Sequence, residues 1–556
     1  MIHKKLPIGL SDFKKLIEQK CYFVDKSLLI KEVVEGSEVL LFPRPRRFGK
    51  TLNLSMLKYF YDNSADNAFL FDDLLISKDP EVMAYQGKFP VIFLTFKDIK
   101  SNNLAHCMDS LFDLIAKLFQ EHYHILKNDF MGDFDINFYN RILSKTGSLS
   151  DYENSLKYLS EYLYKYHKVN PVILIDEYDM PIQSAYINNY YEDLIIFIRN
   201  LLSGCLKDNV YLEKAVLTGI LRVAKESIFS GLNNLKVCSM ISKFSADKFG
   251  FTEEEVAQFL TAFDLAEKLP KVKEWYDGYN YSGIEIYNPW SILNYISEQE
   301  IRPYWVNTSG NELIKTLLLK ASDLVKQDME ILVNEGCVKK QVEDNIVYAD
   351  IDQNDDSLWN FLLMSGYLRY DNFVQEEEVW YADLKIPNRE VKYLFESEVI
   401  KKWFSNMRGS LRLDSVLTNL TEGDLKLFKK MFIQFCQSSF SYFDVSGQES
   451  EKFYHAFVLG MIVSLRDQYT IKSNRESGYG RYDIMMIPKA LNKRGIIFEF
   501  KKVDTFENED FDTALLDAKK QINEKQYAEE LRTLGVKNIV CIAAVFDKKE
   551  VRVDIF

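Results

Sequence analysis

Short apolar runs alternate with helix-like stretches through the first 250 residues. The runs are continuous rather than alternating, which is typical of strands buried on both faces of a parallel sheet. They lie at residues 38–42, 89–96, 171–175 and 215–218. Stretches of helical length and spacing lie near residues 104–122, 152–166 and 193–206. Strands alternating with helices predict a parallel α/β domain over residues 1–250.

The pattern changes after residue 250. Thr252 and Glu255 are spaced as a capping box at the start of a helix. Residues 251–310, rich in Trp, Tyr, Asn and Gly, are predicted to form a lid or linker region, and residues 311–450 a mostly helical connecting domain with a β-like patch near 378–386. We expect the aromatic side chains to be buried in packing between domains rather than to stack on bases.

The last segment, residues 451–556, returns to an α/β pattern. Its predicted elements are a helix at 451–466, strands near 482–487 and 495–500, a helix near 511–532 and a strand at 538–545. The whole chain is therefore predicted to be α/β at both ends and mostly helical in the middle.

Composition narrows the class of protein. A chain of 556 residues is too long for one core and is expected to form several domains. The net charge of -13 argues against a generally basic nucleic-acid binder, although residues 451–556 are close to neutral. The seven cysteines contain no CxxC pair, and no apolar run approaches the ~18–20 residues that span a bilayer. We therefore expect a cytoplasmic protein without a zinc cluster, a disulfide framework or a membrane segment.

A phosphate-binding loop is the first candidate site. The segment FPRPRRFGKT, residues 42–51, lies between a predicted strand and a predicted helix, as a P-loop does. Gly49 permits close approach of the backbone to phosphate, the Lys50 ammonium can reach the β- and γ-phosphates, and the Thr51 hydroxyl can bind Mg²⁺. The candidate nucleotide-binding residues here are Arg44, Arg46, Arg47, Phe48, Gly49, Lys50, Thr51 and Leu52.

The loop departs from the general P-loop pattern at one position. Arg44 stands where that pattern has its first glycine. Together with Arg46 and Arg47, it could add phosphate contacts or face a partner, and the sequence leaves both open.

Two carboxylates end a later strand. Asp176 and Glu177 directly follow the apolar run at residues 171–175, which is the position of a Walker B pair. We expect Asp176 to hold Mg²⁺ together with Thr51, and Glu177 to polarise the attacking water.

The next predicted strand ends in Thr218-Gly219, and Arg222 lies just after it. A polar side chain in that position could sense the γ-phosphate of a nucleotide. A simple turn at the strand end explains the residues equally well.

A second candidate site lies near the carboxyl end of the chain. Asp483 opens an alternating apolar strand, and Glu499 and Lys501 lie on the following strand. Because residues two apart on a strand point to one face, Glu499 and Lys501 are expected to project together while Phe500 turns into the core. A carboxylate on the neighbouring strand would complete a pocket for a divalent cation, with Asp483 and Glu499 as ligands. Lys501 could then orient a water molecule or stabilise negative charge.

Motifs along nearly the whole chain resemble those of the bacterial and archaeal AAA-ATPase-like proteins. They include LPIGLSDF, RPRRFGKTLNLSMLKYF, ILIDEYDMPI, LTGILRVAKESIFSGLNN, EWYDGYN, YNPWSILNYI, FYHAFVLG, SNRESGYGRYDI and FEFK. In that family an N-terminal P-loop NTPase domain is fused to a C-terminal PD-(D/E)xK nuclease-like α/β domain. The family's phosphate loop usually reads RPRRFGKT as well, so Arg44 does not depart from the family.

The resemblance also bears on individual residues. It implies Asp483, Glu499 and Lys501 as the catalytic set of the nuclease-like domain, although Tyr482 replaces the usual proline before Asp483. Further candidates are Glu451, His455, Gln521 and Tyr527 on flanking helices, Glu476 as a metal ligand or turn residue, and Arg475 and Arg481 as phosphate contacts. It draws attention to Tyr22, Asp25 and Lys26, which either lie near the nucleotide or form a capped surface turn.

These patterns lead to one functional hypothesis with an alternative. The leading expectation is an ATPase that gates or powers a nuclease dependent on Mg²⁺ or Mn²⁺, with DNA as the default substrate. The alternative is an ATP-driven switch or scaffold whose C-terminal domain binds nucleic acid or a protein partner without cleaving it. A homo-oligomer stays open at this stage.

Overall fold

The computed structural model divides the chain into two compact units. Unit 1 comprises Met1–Leu317 and Glu335–Lys392, and unit 2 comprises Leu318–Asn334 and Tyr393–Phe556. The structure describes residues 4–127, 130–222, 234–306, 308, 311–333, 335–343, 351, 354–396, 413–440, 457–462, 465–477, 480–503, 510–524, 527–547 and 550–556. The four-segment division expected from the sequence stays a prediction.

Unit 1 is built on a five-stranded parallel sheet. Its strands are β1 (Val39–Pro43), β2 (Val91–Thr95), β3 (Val172–Asp176), β4 (Lys214–Gly219) and β5 (Leu235–Val237). The order across the sheet is β2-β3-β4-β1-β5, and each neighbouring pair is parallel. The predicted parallel α/β domain is therefore confirmed.

Helices flank this sheet and continue along the chain. The first are α1 (Phe13–Glu18), α2 (Leu29–Glu35), α3 (Lys50–Tyr61), α4 (Pro80–Met83), α5 (Leu104–Glu121), α6 (Asp133–Leu143), α7 (Leu149–Glu153), α8 (Ser155–His167), α9 (Met180–Ile187) and α10 (Tyr191–Leu206). The core between the sheet and α1 to α3 contains Phe13, Leu40, Phe42, Leu57 and Phe60.

An aromatic-rich subdomain follows within unit 1. It contains β6 (Phe251–Thr252), α11 (Glu253–Ala262), α12 (Leu269–Tyr276), β7 (Tyr279–Tyr281), β8 (Ile284–Tyr287) and α13 (Pro289–Glu298). The Thr252–Glu255 capping box is present at the start of α11, as predicted. Tyr279, Tyr281 and Tyr287 are fully buried, so these aromatic side chains pack inside unit 1 rather than on its surface.

A three-stranded antiparallel sheet lies in the segment that was expected to be mostly helical. Its strands are β9 (Val338–Gln341), β10 (Arg369–Glu376) and β11 (Val379–Lys385), in the order β10-β11-β9. The helices of the same stretch of sequence are α14 (Glu312–Lys320), α15 (Asp323–Val333), α16 (Asp355–Met364) and α17 (Arg389–Leu394). Only β11 was anticipated, because β10 is largely exposed and polar and carries no apolar alternation.

The carboxyl-terminal part of unit 2 is a five-stranded mixed sheet with flanking helices. Its elements are α18 (Leu413–Thr421), α19 (Leu425–Phe440), β12 (Tyr469–Ser477), β13 (Gly480–Pro488), β14 (Gly495–Lys502), α20 (Phe511–Glu524), α21 (Ala528–Thr533), β15 (Ile539–Asp547) and β16 (Glu550–Ile555). The strands follow the order β12 to β16, and only β14 and β15 are parallel neighbours.

The strands predicted near 482–487, 495–500 and 538–545 are present as β13, β14 and β15, whereas the helix predicted near 511–532 is present as two helices, α20 and α21. Of the predicted helix at 451–466, residues 457–462 are helical, whereas residues 451–456, 463 and 464 lie outside the described part of the chain. Among the helices that the structure describes, none combines the length and the apolar character needed to cross a bilayer.

Candidate functional site

The loop between β1 and α3 has the backbone geometry of an anion-binding loop. Arg47 and Gly49 both adopt positive φ angles, of 67° and 83°, and α3 begins at Lys50 directly after Gly49. The first N–H groups of a helix have no partner inside the helix, and the helix dipole adds partial positive charge there. The start of α3 can therefore receive a phosphate group.

The Lys50 ammonium lies inside this loop. Its Nζ donates to the backbone carbonyls of Arg44 and Pro45, each at 2.9 Å, and the residue is only 3% exposed. Burial lowers the pKa of Lys50, while the carboxylates of Glu177 and Asp179 favour its charged form. A cation is thus held against the start of α3 by the loop's own carbonyl groups.

Asp176 meets three hydroxyl groups at the carboxyl edge of the sheet. Its Oδ2 accepts from Thr51 Oγ1 at 2.8 Å and from Thr95 Oγ1 at 3.4 Å, and its Oδ1 accepts from Thr218 Oγ1 at 2.6 Å. The Asp176 side chain is fully buried. Mg²⁺ binds carboxylate and hydroxyl oxygens as ligands, so Thr51 and Asp176 fit a magnesium site.

Glu177 follows Asp176 in a conformation that non-glycine residues rarely adopt. Its φ angle is 52°, and its N–H donates to Thr218 Oγ1 at 3.3 Å. The Glu177 side chain is partly exposed, so it can reach solvent next to the buried Asp176.

Two residues beyond the predicted carboxylate pair also belong to this edge. Asp179 Oδ2 accepts from the N–H groups of Ile220 and Leu221, and the Tyr178 hydroxyl donates to the Leu221 carbonyl. Sequence reasoning missed them and Thr95, although the last acid of the DEYD segment is a signal that could have been noticed. Arg222 comes next and is half-buried, while residues 223–233 lie outside the described part of the chain.

The structure does not place Arg44 as a phosphate contact. Its guanidinium is fully buried, donates to the carbonyls of Pro43, Cys238 and Ser245, and lies 5.0 Å from the Phe249 ring centre. Burial lowers the pKa of Arg44. The expected role of Arg44 in phosphate or partner binding is therefore corrected: the side chain supports the loop from inside the fold.

The remaining loop residues are either accessible to solvent or packed against the core. Arg46 donates to Gln183 Oε1 at 2.8 Å, and the exposed Arg47 guanidinium lies 4.3 Å from the Trp290 ring centre. Phe48 is buried and packs edge-on against Tyr279 at 4.9 Å. Leu52 is partly buried against the main core. Arg46 and Arg47 thus remain the candidates for contacts to a ligand.

The N-terminal residues singled out by sequence serve as local supports in this structure. Asp25 accepts from the N–H groups of Ser27 and Leu75, Lys26 forms a 2.6 Å ion pair with Glu255, and Tyr22 stacks on Phe259 at 4.0 Å. These contacts favour the alternative in which the segment is a capped turn.

The second candidate site lies on β13 and β14 of unit 2. The register pairs Ile484 with Phe498, which places Asp483 beside Glu499, and Asp483 Oδ2 accepts from the Phe500 N–H at 2.7 Å. Glu499 is 2% exposed and Lys501 is half-buried. The structure thus brings Asp483 and Glu499 together, and two carboxylates on adjacent strands fit a divalent cation.

Tyr527 completes the surroundings of this carboxylate pair. Its ring is fully buried, and burial followed by the charges of Glu499 and Asp483 raises its pKa to about 12. Gln521 on α20 donates to the Tyr527 hydroxyl at 3.4 Å. Tyr527 lies at the start of α21 rather than on the same helix as Gln521, as had been expected.

The other nuclease-like candidates are only partly visible. Arg475 and Glu476 belong to β12, where Glu476 pairs with Arg481 of β13, so Glu476 lies in a strand rather than in the expected loop. The side chains of these three residues, and all of Glu451 and His455, lie outside the described part of the structure.

The two sites define a P-loop nucleotide-binding domain and a mixed-sheet domain with a paired carboxylate site. Comparison with known families agrees: residues 7–229 match the family model described as "Predicted AAA-ATPase", and residues 449–555 match the model described as "PD-(D/E)XK nuclease superfamily". The chain therefore contains an AAA-ATPase-like domain and, at its carboxyl end, a PD-(D/E)XK nuclease-superfamily domain.

One curated relative extends over nearly the whole chain. It is the "Uncharacterized protein in vnfD 5'region" of Azotobacter chroococcum mcd 1, which is 26% identical over 553 residues. The alignment covers 96% of this chain and 95% of the relative, so the similarity extends over nearly the whole length of both.

Proposed function

We propose that this protein binds and hydrolyses ATP in unit 1 and that ATP controls a metal-dependent nuclease in unit 2, with DNA as the substrate. The observation that carries the ATP half is the 2.8 Å bond between Thr51 Oγ1 and Asp176 Oδ2. This bond joins Thr51, the residue after Lys50, to the carboxylate at the end of β3, which lies 125 positions later in the sequence. This contact supports the proposal, because it joins the two groups that would hold Mg²⁺ beside the phosphates of ATP.

Each residue of this site has a distinct task in the proposal. The N–H groups at the start of α3 and the Lys50 ammonium bind the β- and γ-phosphates. Glu177 orients and polarises the attacking water. Thr51 and Asp176 hold Mg²⁺, which when bound neutralises charge on the phosphate oxygens.

The nuclease half is supported by the carboxylate pair of unit 2. Asp483 and Glu499 are the proposed ligands of Mg²⁺ or Mn²⁺, which when bound polarises a phosphodiester and acidifies a water molecule. Lys501 lies two residues after Glu499 on the same strand face and is proposed to orient that water or to stabilise negative charge. Glu499 is buried, and a cation bound between it and Asp483 would offset the cost of burying its charge.

The test is a cleavage assay on the full-length protein. Single- and double-stranded DNA, linear and circular, and RNA are incubated with Mg²⁺ or Mn²⁺, with and without ATP. The wild type is compared with Asp483→Asn and with Asp517→Asn, a control at an exposed position of α20. We expect cleavage of DNA by the wild type and the control only.

Two outcomes would change the proposal. If the wild type binds DNA but leaves every substrate intact, the protein is instead an ATP-driven switch or scaffold. If Lys50→Ala still hydrolyses ATP as the exposed control Lys157→Ala does, the phosphate-loop assignment is wrong.

A further inference from the structure

Two side chains that follow the Asp176–Glu177 pair bind the turn after β4. Asp179 Oδ2 accepts from the N–H groups of Ile220 at 2.8 Å and Leu221 at 3.0 Å. The Tyr178 hydroxyl donates to the Leu221 carbonyl at 2.7 Å. Both side chains are buried, Asp179 with 2% exposure and Tyr178 with none. The turn is therefore fixed through its backbone, by groups that solvent does not reach.

The turn also packs directly against these two side chains. A Cβ atom at Gly219 would lie 2.7 Å from a ring carbon of Tyr178 and 2.8 Å from Asp179 Oδ1. Real Cβ atoms do not approach other atoms this closely, so only glycine fits at this strand end. The close approach leaves the turn little freedom to shift relative to Asp179.

The same turn is bound on its other side to the phosphate loop. The N–H of Arg44 donates to the Gly219 carbonyl at 3.0 Å. The β3 end is joined to it as well, because the Tyr178 N–H donates to the Thr218 carbonyl at 3.0 Å. The turn thus lies between the phosphate loop and the strand end that carries Asp176, and Arg222 follows it immediately.

We propose that Asp179 is a positioning residue of the ATP site: it holds the backbone of Ile220 and Leu221 so that the following Arg222 is presented to the γ-phosphate during hydrolysis. The inference rests on the proposed ATPase function and deepens it. Asp179 acts through the turn and touches no substrate. Its loss is therefore expected to lower kcat more than it weakens ATP binding, which depends on Lys50 and the start of α3.

The proposal predicts different results for two substitutions of Asp179. Asparagine keeps an acceptor oxygen for both N–H groups, whereas alanine leaves two buried N–H groups without a partner. Tyr178→Phe removes the bond to the Leu221 carbonyl and keeps the ring. Asp193→Ala, at an exposed position of α10, serves as the control.

The experiment measures three quantities on the full-length protein and these variants. They are the amide hydrogen exchange of peptides covering residues 218–222, the Kd of a non-hydrolysable ATP analogue, and kcat for ATP hydrolysis. For Asp179→Ala we expect faster exchange, a Kd within about 3-fold of wild type, and a kcat about 10- to 100-fold lower, as misplaced catalytic groups produce. Asp179→Asn should keep exchange and kcat near wild type, and any rise in its Kd reports the carboxylate charge lost near Lys50 rather than a movement of the turn. Tyr178→Phe should fall between wild type and Asp179→Ala.

Each other outcome overturns a stated part of the proposal. Unchanged exchange in Asp179→Ala would show that Asp179 does not hold the turn. Faster exchange with an unchanged kcat would show that the turn does not serve hydrolysis, and a weakened Kd with unchanged kcat would assign Asp179 to binding. A wild type that binds no ATP analogue would instead overturn the ATPase function, while the exchange data would still decide whether Asp179 holds the turn.

Discussion

Arg44 is the clearest case in which one residue serves a different purpose from the one its motif indicates. It stands at the first-glycine position of the general P-loop pattern, yet its side chain turns inward and is fully buried. There it donates to carbonyl groups of residues almost 200 positions away, Cys238 and Ser245. The planar guanidinium, with several donors, can satisfy such carbonyls where glycine could not.

This arrangement predicts that Arg44→Ala destabilises the fold rather than acting on phosphate directly. Loss of the buried donors is expected to cost on the order of 3 kcal/mol and to lower the melting temperature. Arg47→Ala, which changes the exposed neighbour in the same loop, should leave the melting temperature almost unchanged. Thermal unfolding and ATP binding are measured on both variants. A variant Arg44→Ala with wild-type melting but weak ATP binding would restore the phosphate-contact role.

At the scale of elements, the aromatic-rich subdomain depends on a close approach between two chain segments. Gly278, just before β7, has a φ angle of +112°, and a Cβ there would lie 1.9 Å from the Pro387 carbonyl oxygen. Gly283, between β7 and β8, has a φ angle of +92° but no atom within 4 Å of its would-be Cβ. Substitutions at the two glycines therefore separate the free-energy cost of a steric clash from the cost of a positive φ angle.

We expect Gly278→Ala to destabilise unit 1 much more than Gly283→Ala. The second substitution carries only the strain of a positive φ angle, roughly 1 kcal/mol, whereas the first also forces the backbone at Pro387 to move. The melting temperatures of the two full-length variants measure this difference in stability. Equal losses would mean that the backbone at Pro387 moves away without cost.

A buried acid in the same subdomain predicts a pH effect. Asp277 is 6% exposed, and burial followed by the Glu285 carboxylate raises its pKa to about 6. Glu253 and Lys273 also face it. The native chain keeps this proton at pH values where the unfolded chain has lost it. The free energy of unfolding therefore falls as the pH rises from about 4 to about 6.

Asp277→Asn should therefore stabilise the protein at pH 7.5 but not at pH 4.5. At pH 7.5 we expect the melting temperature to rise by about 2–4 °C for each kcal/mol that the substitution adds to the free energy of unfolding. Asp264→Asn, at an exposed position nearby, is the control. An equal shift of the Asp277→Asn variant at both pH values would contradict the assignment of the raised pKa.

At the scale of the whole molecule, the two candidate sites lie in separate compact units, each with its own sheet. Substitutions at one site should therefore not disturb the folding of the other. We expect Asp483→Asn to hydrolyse ATP within about 2-fold of wild type, since the substitution lies in unit 2 and the proposed ATP site lies in unit 1. Lys50→Ala should lose both ATP hydrolysis and the ATP-dependent part of DNA cleavage.

The two activities are measured side by side on each variant. Cleavage by Lys50→Ala at the full wild-type rate would show that ATP does not control the nuclease. Loss of ATP hydrolysis in Asp483→Asn would show instead that the activity of unit 1 depends on the integrity of the site in unit 2.

The sequence by itself determined the element types and the chemistry at their ends. Continuous apolar runs marked the parallel strands because both faces of such strands are buried. The GKT segment and the Asp176–Glu177 pair stood out because each follows such a run. The Asp483, Glu499 and Lys501 set stood out because its members lie on two successive predicted strands near the carboxyl end. The β9 and β10 strands escaped notice because exposed, polar strands leave no periodic signal.

Only the tertiary structure decided which of these residues meet. The sheet order inserts β4 between β1 and β3, so Thr218 contacts Asp176 and the turn after β4 lies against Asp179. The burial of Arg44 and the hydrogen bonds of Asp179 join residues 40 to 200 positions apart. Local periodicity reports which way a side chain faces on its own element, but it contains no information on which distant element packs against that face.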